Sequence, residues 1–330
     1  MFFKYDHPSV RTIGRWGRHG WLCENSIATT ACGAKLEIAF TGEMITLQFD
    51  TLYSAHPYPH MWIRLDDGVW TESTVEKFVR VRANTDGEHL LTVVYKSALE
   101  QQHRWNPQLV GKLALMGYEA DGAGTLPPAP TRYLEFVGDS ITEGVEVDYD
   151  ACVVHDYDVW QYNRPTQDDA MGTYAYLTAQ ALGYEPLIMG YGACGVTRMG
   201  CGGVPKAADA YPFSFAGVPI DYPAPEIIVI NHGANDRILT VDVYLKEYRR
   251  LLDVIREIHP KANVISLSAF CGVWPSELKE MIQDYNREHG CEVGFIDSTG
   301  WIPAEPLHPD RNGHRIVAEH LIEELKKMGC

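Results

Sequence analysis

The chain changes its hydrophobic period once, and the change is marked by the stretch Gly122-Ala123-Gly124-Thr125-Leu126-Pro127-Pro128-Ala129-Pro130. Before it the period is two. Leu36, Ile38 and Phe40 alternate with other residues, as do Ile45, Leu47 and Phe49, and Met61, Ile63 and Leu65 lead into the turn Asp66-Asp67-Gly68. "FVRVRA", "HLLTVVYK" and "KLALMGYEA" continue the series. Short strands separated by turn signals predict an antiparallel β-sandwich, jelly-roll-like, over residues 1–125. The Gly/Pro-rich stretch predicts a linker, placed at 126–132.

From residue 133 onward strands and helices alternate. "YLEFV", "PLIM", "EIIVI", "ANVISLSAF" and "EVGFID" are buried-strand patterns. Val241, Tyr244, Leu245, Tyr248, Leu251, Leu252, Ile255 and Ile258 recur at helical spacing. Helices are also expected at 173–182, from "PSEL" to the glycine at 290, and at 311–328. Alternating units of this kind build a parallel sheet covered by helices on both faces, a three-layer α/β domain over 133–330. Ligands on such sheets bind beyond the C-terminal strand ends. Residues 145–171 are acidic and aromatic without periodicity, and predict a long loop over that mouth.

A net charge of −16 argues against a nucleic-acid partner, which needs a basic face. No apolar run reaches the roughly 18 residues of a membrane span, and the N-terminus lacks the apolar core of an export signal. The eight cysteines form no C-x-x-C pair. The expectation is therefore reduced thiols in the cytoplasm, with no zinc site and no cofactor. A bridge between Cys23 and Cys32, or Cys194 and Cys201, is left open by the spacing.

Four strand ends carry polar residues suited to chemistry. The first gives Gly138-Asp139-Ser140-Ile141-Thr142, where Ser140 either exposes its Oγ at the sheet edge or serves as a helix cap. It is not the G-x-S-x-G elbow. The second, "GYGACG", has the letters of the dinucleotide fingerprint. The following "VTRMGCGGVPKAADAYPFSF" is no helix, so a nicotinamide site is not expected. A glycine turn there can instead bare an N–H toward a developing oxyanion. The third, Asn231-His232-Gly233-Ala234-Asn235-Asp236, offers the Asn235 amide or simply a polar turn. The last leads into "PAEPLHP", with Glu305 three residues before His308.

"FVGDSIT", "GACG", "GAND" and "HP", in this order, resemble the four blocks of the GDSL/SGNH hydrolases across residues 133–330. A β-sandwich followed by "LPPAPTRYLEFVGDSIT" further resembles the two-domain acetylesterases of carbohydrate esterase family 2. The resemblance implies an SGNH-type α/β fold and ester hydrolysis through an acyl-enzyme. Ser140 would be the nucleophile and His308 the base. The oxyanion hole would comprise the N–H groups of Ser140 and Gly195 and the Asn235 side chain, with Asp139 and Asp236 as supporting turn residues. The family usually has aspartate three residues before the histidine. Glu305 stands there, so it is the expected acid, with a backbone carbonyl or Asp297 as alternatives.

His314 and His232 are expected in packing or structural roles, and His155 has none assigned. Trp160, Tyr191, Trp274 and Trp301 are the candidate sugar platforms. The expected partner is a small-molecule or oligosaccharide ester, with acetylated carbohydrate first. The rivals are an acyl thioester or lysolipid substrate, and an inactive sugar-binding protein.

Overall fold

A computed structural model describes residues 1–18, 25–106, 108–149 and 164–330. Two antiparallel sheets precede residue 124. One runs Phe2–Lys4, Leu113–Glu119, Met44–Phe49, Phe78–Arg82, with Ile27–Thr29 also on Leu113–Glu119. The other runs Gly122–Ala123, Lys35–Thr41, Glu88–Ser97, His60–Leu65, Thr71–Thr74, with Val10–Ile13 on Lys35–Thr41. Leu36, Ile38, Phe40, Ile45, Leu47 and Phe49 are fully buried in one core, as their alternation demands. Gly122 and Ala123, at the start of the Gly/Pro-rich stretch, pair with Thr41 and Phe40.

The second half is built on five parallel strands, in the order Glu185–Gly190, Tyr133–Gly138, Ile227–Asn231, Asn263–Leu267, Gly294–Ile296. In chain order this is 2-1-3-4-5, so the sheet direction switches between its first and third strands. Ser140 and Asn235 follow those two strands, at the switch point where such sheets bind ligands. The longer helices are Tyr174–Ala181, Val241–Ile258, Pro275–His289 and Arg311–Lys327. Val241–Ile258 buries Tyr244, Tyr248, Leu251, Leu252 and Ile255, the stripe read from its spacing. Cys194 and Cys201 are free thiols, and Cys23 lies outside the described residues.

The two halves meet through buried charge. Glu135 lies in mid-strand among apolar residues, fully buried. Its carboxylate accepts from Arg15 at 2.9 Å and from the hydroxyls of Tyr211 and Tyr222 at 2.7 and 2.5 Å. Arg104, also from the N-terminal half, pairs with Glu143 just past Ser140, and neither is open to water. Breaking such a pair strands one charge in the interior. Arg104→Met is therefore expected to lower the unfolding free energy by about 3–5 kcal/mol in denaturant titration. Arg104→Met with Glu143→Leu should recover most of that loss; no recovery would show that the pair is not its source.

Candidate active site

Ser140 opens a four-residue helix, Ser140–Glu143, capped by Asp139, whose carboxylate accepts the Ile141 N–H at 3.0 Å. As the first helical residue, Ser140 has an N–H with no intrahelical carbonyl to meet. The helix can sit hard against the neighbouring strand because that strand ends in glycine. A Cβ on Gly190 would fall 2.4 Å from the Glu143 nitrogen.

His308 reaches Ser140 from the turn before the last helix, with Nε2 at 2.9 Å from Oγ. Its Nδ1 lies 2.9 Å from Glu146 Oε2. A proton on Nδ1, donated to that carboxylate, leaves Nε2 as the acceptor for the serine hydroxyl. The carboxylate against His308 is thus Glu146, not Glu305. Glu305 projects into solvent, with 74% of its side chain exposed and Arg237 at 4.0 Å as its ion-pair partner. Proximity in sequence does not bring Glu305 onto the imidazole, although both residues line the same cleft. Nor is Asp297 near: it accepts from Thr299 N–H and Ser268 Oγ.

Glu146 belongs to the segment 145–171 and sits at φ 62°, a left-handed backbone that a non-glycine residue adopts only when held. Its other oxygen, Oε1, accepts from Arg164 at 3.0 Å, and its N–H donates to Asp168 at 2.8 Å. Burial alone would raise the Glu146 carboxyl. The His308 hydrogen bond and the charges of His308 and Arg164 more than offset that, and hold it below its ordinary value. For His308 burial pulls downward; the Glu146 bond and charge, with Asp139 and Glu100 behind them, reverse the sign and raise it.

Asn235 is drawn to the same point. Its Nδ2 donates to Asp139 Oδ2 at 3.0 Å and, more weakly, to the Cys194 carbonyl at 3.3 Å. Asp139 is buried, and burial pushes its carboxyl up to about 6. Asp236 pins the glycine loop by accepting from the N–H groups of Val196 and Thr197 and from the Thr197 hydroxyl. Gly195 must be glycine for this, since a Cβ there would lie 2.5 Å from Asp236 Oδ1. The Gly195 N–H, however, donates to the Arg198 carbonyl at 3.1 Å, so it is already engaged.

The expected platforms fare differently. Tyr191 is fully buried between Trp105 and Arg104 and presents no face to a ligand. Trp274 packs on Tyr244 and Trp301 stacks on His320. Trp160 and His155 lie outside the described residues. His314 is buried, accepts the Tyr174 N–H, and is driven by burial down to about 3. His232 is buried as well, with burial lowering it to about 4. A cleft of about 710 Å³ opens beside His308, lined by Glu146, Tyr149, Ile302, Pro306 and Ile316 among others.

Glu146 was missed because the segment carrying it has no period. One signal was available. A residue six positions past Ser140, still within the same strand-end connection, cannot be far from the mouth.

Residues 136–316 match the family described as GDSL-like Lipase/Acylhydrolase. No curated protein matches the chain. Several solved structures do. A family two carbohydrate esterase from Clostridium thermocellum, solved with cellohexaose, has a TM-score of 0.77 at 22% identity, covering 97% of this chain and 99% of that one. One from Cellvibrio japonicus has a TM-score of 0.79 at 19% identity, covering 99% and 97%. The acetyl xylan esterase Est2A from Butyrivibrio proteoclasticus has a TM-score of 0.76 at 20% identity, covering 100% and 99%. At these identities the likeness is one of fold.

The titration of His308 followed by NMR tests the contact directly. The imidazole should titrate above its ordinary value. Glu146→Gln should lower it, while Glu305→Gln should leave it in place. The reverse pattern would assign the perturbing charge to Glu305.

Proposed function

The chain belongs to the GDSL-like lipase/acylhydrolase family, and on that premise we propose that it is a serine esterase removing acetyl groups from O-acetylated carbohydrates. The observation that carries the reading is the unbroken line from Ser140 Oγ to His308 to Glu146, each link 2.9 Å. Its order is that of nucleophile, base and orienting acid. Similarity to carbohydrate esterases, one of them an acetyl xylan esterase, supports the substrate class.

In this mechanism Ser140 Oγ attacks the acetyl carbonyl and its proton passes to His308 Nε2. Glu146 holds the imidazole in the tautomer that can accept it, and stabilises the imidazolium that results. The negative oxygen of the tetrahedral intermediate is met by the Ser140 N–H at the helix start. The Asn235 amide joins it by exchanging its weak 3.3 Å bond to the Cys194 carbonyl. Gly195 contributes only if its bond to Arg198 opens. Collapse releases the sugar alcohol, which takes the proton from His308. Water, deprotonated by the same histidine, then cleaves the acetyl-enzyme.

The apolar wall of the cleft beside His308 favours a second reading, a longer acyl ester. Hydrolysis of acetylated xylo- and manno-oligosaccharides against butyryl and octanoyl esters separates the two. A preference for octanoyl over acetyl would overturn the first.

Ser140→Ala is expected to lower kcat on the order of 10⁶-fold, and Asn235→Ala by about 10²–10³-fold. Unchanged turnover in Ser140→Ala would refute the mechanism.

His308 must be neutral to accept the proton. Its value is raised, so kcat/KM should climb through a pH above the ordinary imidazole range. Glu146→Gln should move that limb to lower pH and reduce the plateau by roughly 10²–10⁴-fold. A profile of kcat/KM against pH for the two proteins reads both effects.

A further inference from the structure

Glu146 is not held by its own turn alone. The segment that follows in space, 164–169, grips both its backbone and its carboxylate. Arg164 bonds Oε1 at 3.0 Å, Asp168 accepts the Glu146 N–H at 2.8 Å, and the Asp169 N–H returns to the Gly144 carbonyl at 2.8 Å. Arg164 is itself fixed by Asp168, 3.2 Å away. The question is what holds that segment.

The answer comes from the N-terminal sandwich. Lys96 stands near the end of the strand Glu88–Ser97 and is 1% exposed. Its ammonium donates to the carbonyls of Pro165, Thr166 and Asp168 at 2.8, 2.9 and 2.8 Å. An ammonium has three N–H donors, and here four oxygens surround them, the three carbonyls and Glu72 Oε1 at 3.2 Å. The adjacent Ser97 hydroxyl donates to Pro165 at 2.5 Å, and Trp62 Nε1 donates to Asp169 at 2.9 Å. Residues 164–167 form one helical turn, so Lys96 meets the carbonyl end of that turn, where a cation is most favourable. A buried lysine is costly unless saturated in this way. A methionine of nearly the same length would fill the space and leave the carbonyls without donors.

We propose that Lys96 is a positioning residue for the esterase reaction, clamping the 165–168 carbonyls so that Arg164 holds Glu146 against His308. The proposal rests on the reading of Glu146 as the orienting acid. It makes the sandwich part of the catalytic scaffold, through a residue whose bonds reach the site by way of Arg164 and Glu146. A lysine that served only to join the two halves would affect stability and the yield of active protein. A positioning lysine affects turnover per active site, and only while Glu146 is there to be positioned.

The test is a double-mutant cycle in the full chain. Lys96→Met, Glu146→Gln and the double variant are assayed with 4-nitrophenyl acetate. Active-site concentration is taken from fluorophosphonate incorporated at Ser140. Lys96→Met is expected to lower kcat per labelled site by roughly 10- to 100-fold, the effect of a catalytic group displaced by about an ångström. KM should stay within about twofold, and in the Glu146→Gln background the same substitution should cost less than about twofold more. An equal loss in both backgrounds, or no loss in either, overturns the proposal. If Glu146→Gln alone leaves kcat near wild type, the assignment of the acid has failed and the clamp with it. If Glu146→Gln collapses activity while Lys96→Met is silent, the clamp alone has failed. Should Lys96→Met not fold, Ser97→Ala removes one donor from the same clamp. It must give a smaller loss that again disappears beside Glu146→Gln; a silent or additive effect counts against the proposal.

Discussion

The hydrogen bond between His308 Nδ1 and Glu146 Oε2 joins parts of the chain that are 162 residues apart. One end is a proline-bounded turn before the last helix. The other is a strained residue in an aperiodic loop. Without it the imidazole could rotate about its bond to the chain, and Nε2 would not be kept on Ser140. The bond also explains the electrostatics of the site. Burial works against a charged imidazole and against a charged carboxylate alike, yet each is shifted toward its ionised form. Each partner supplies what the interior withholds from the other, and Arg164 completes the set on the far oxygen. Glu305 is mostly exposed and pairs only loosely with Arg237 at 4.0 Å: water already solvates it, so an approach to His308 would gain little.

A pattern of polarity runs along the boundary between the two halves. The N-terminal half contributes buried cations: Arg15 to Glu135, Arg104 to Glu143, and Lys96 to the carbonyls of 165–168. The acceptors lie on the hydrolase side, on the strand Tyr133–Gly138, at the helix that begins with Ser140, and in the segment that holds Glu146. Such contacts are poor sources of stability, because desolvation offsets much of the attraction. They are demanding in geometry, since a misplaced partner leaves a buried charge or carbonyl without its bond. An interface of this kind favours one arrangement strongly over its neighbours. That suits a site whose Glu146–His308 contact is supported from across the boundary.

The architecture was legible because it depends on period and on strand ends. Alternation in Leu36, Ile38 and Phe40 marks a sheet surface, and the spacing from Val241 to Ile258 marks a helix face. The four polar strand ends had to meet, once the strands were parallel. Ser140, Asn235 and His308 do come together on this basis. What escaped depends on direction and not on period. The choice between Glu305 and Glu146 turns on where two loop side chains point, which no spacing encodes. Tyr191 is a candidate sugar platform by its place at a strand end, but Arg104 and Trp105 from the other half cover it. Gly195 was read for its bare N–H, whereas the turn that it opens closes back on that N–H through Arg198. Lys96 was invisible for a simpler reason: a lysine ending an alternating strand reads as solvent-facing.

Two local devices let these demands coexist. Glycine at the strand ends allows the Ser140 helix to approach Gly190 more closely than any side chain would permit, so Ser140 stays near the sheet edge and His308 can reach it. Asp236 then takes the opposite wall, using the space left by the missing Cβ of Gly195 to anchor the N–H groups of Val196 and Thr197. Asp139, between the two walls, receives both Ile141 and Asn235. A carboxylate so placed couples the Ser140 helix to the Asn235 amide. Moving either wall would disturb both Asn235 and Ser140, so the spacing between them is set by backbone packing.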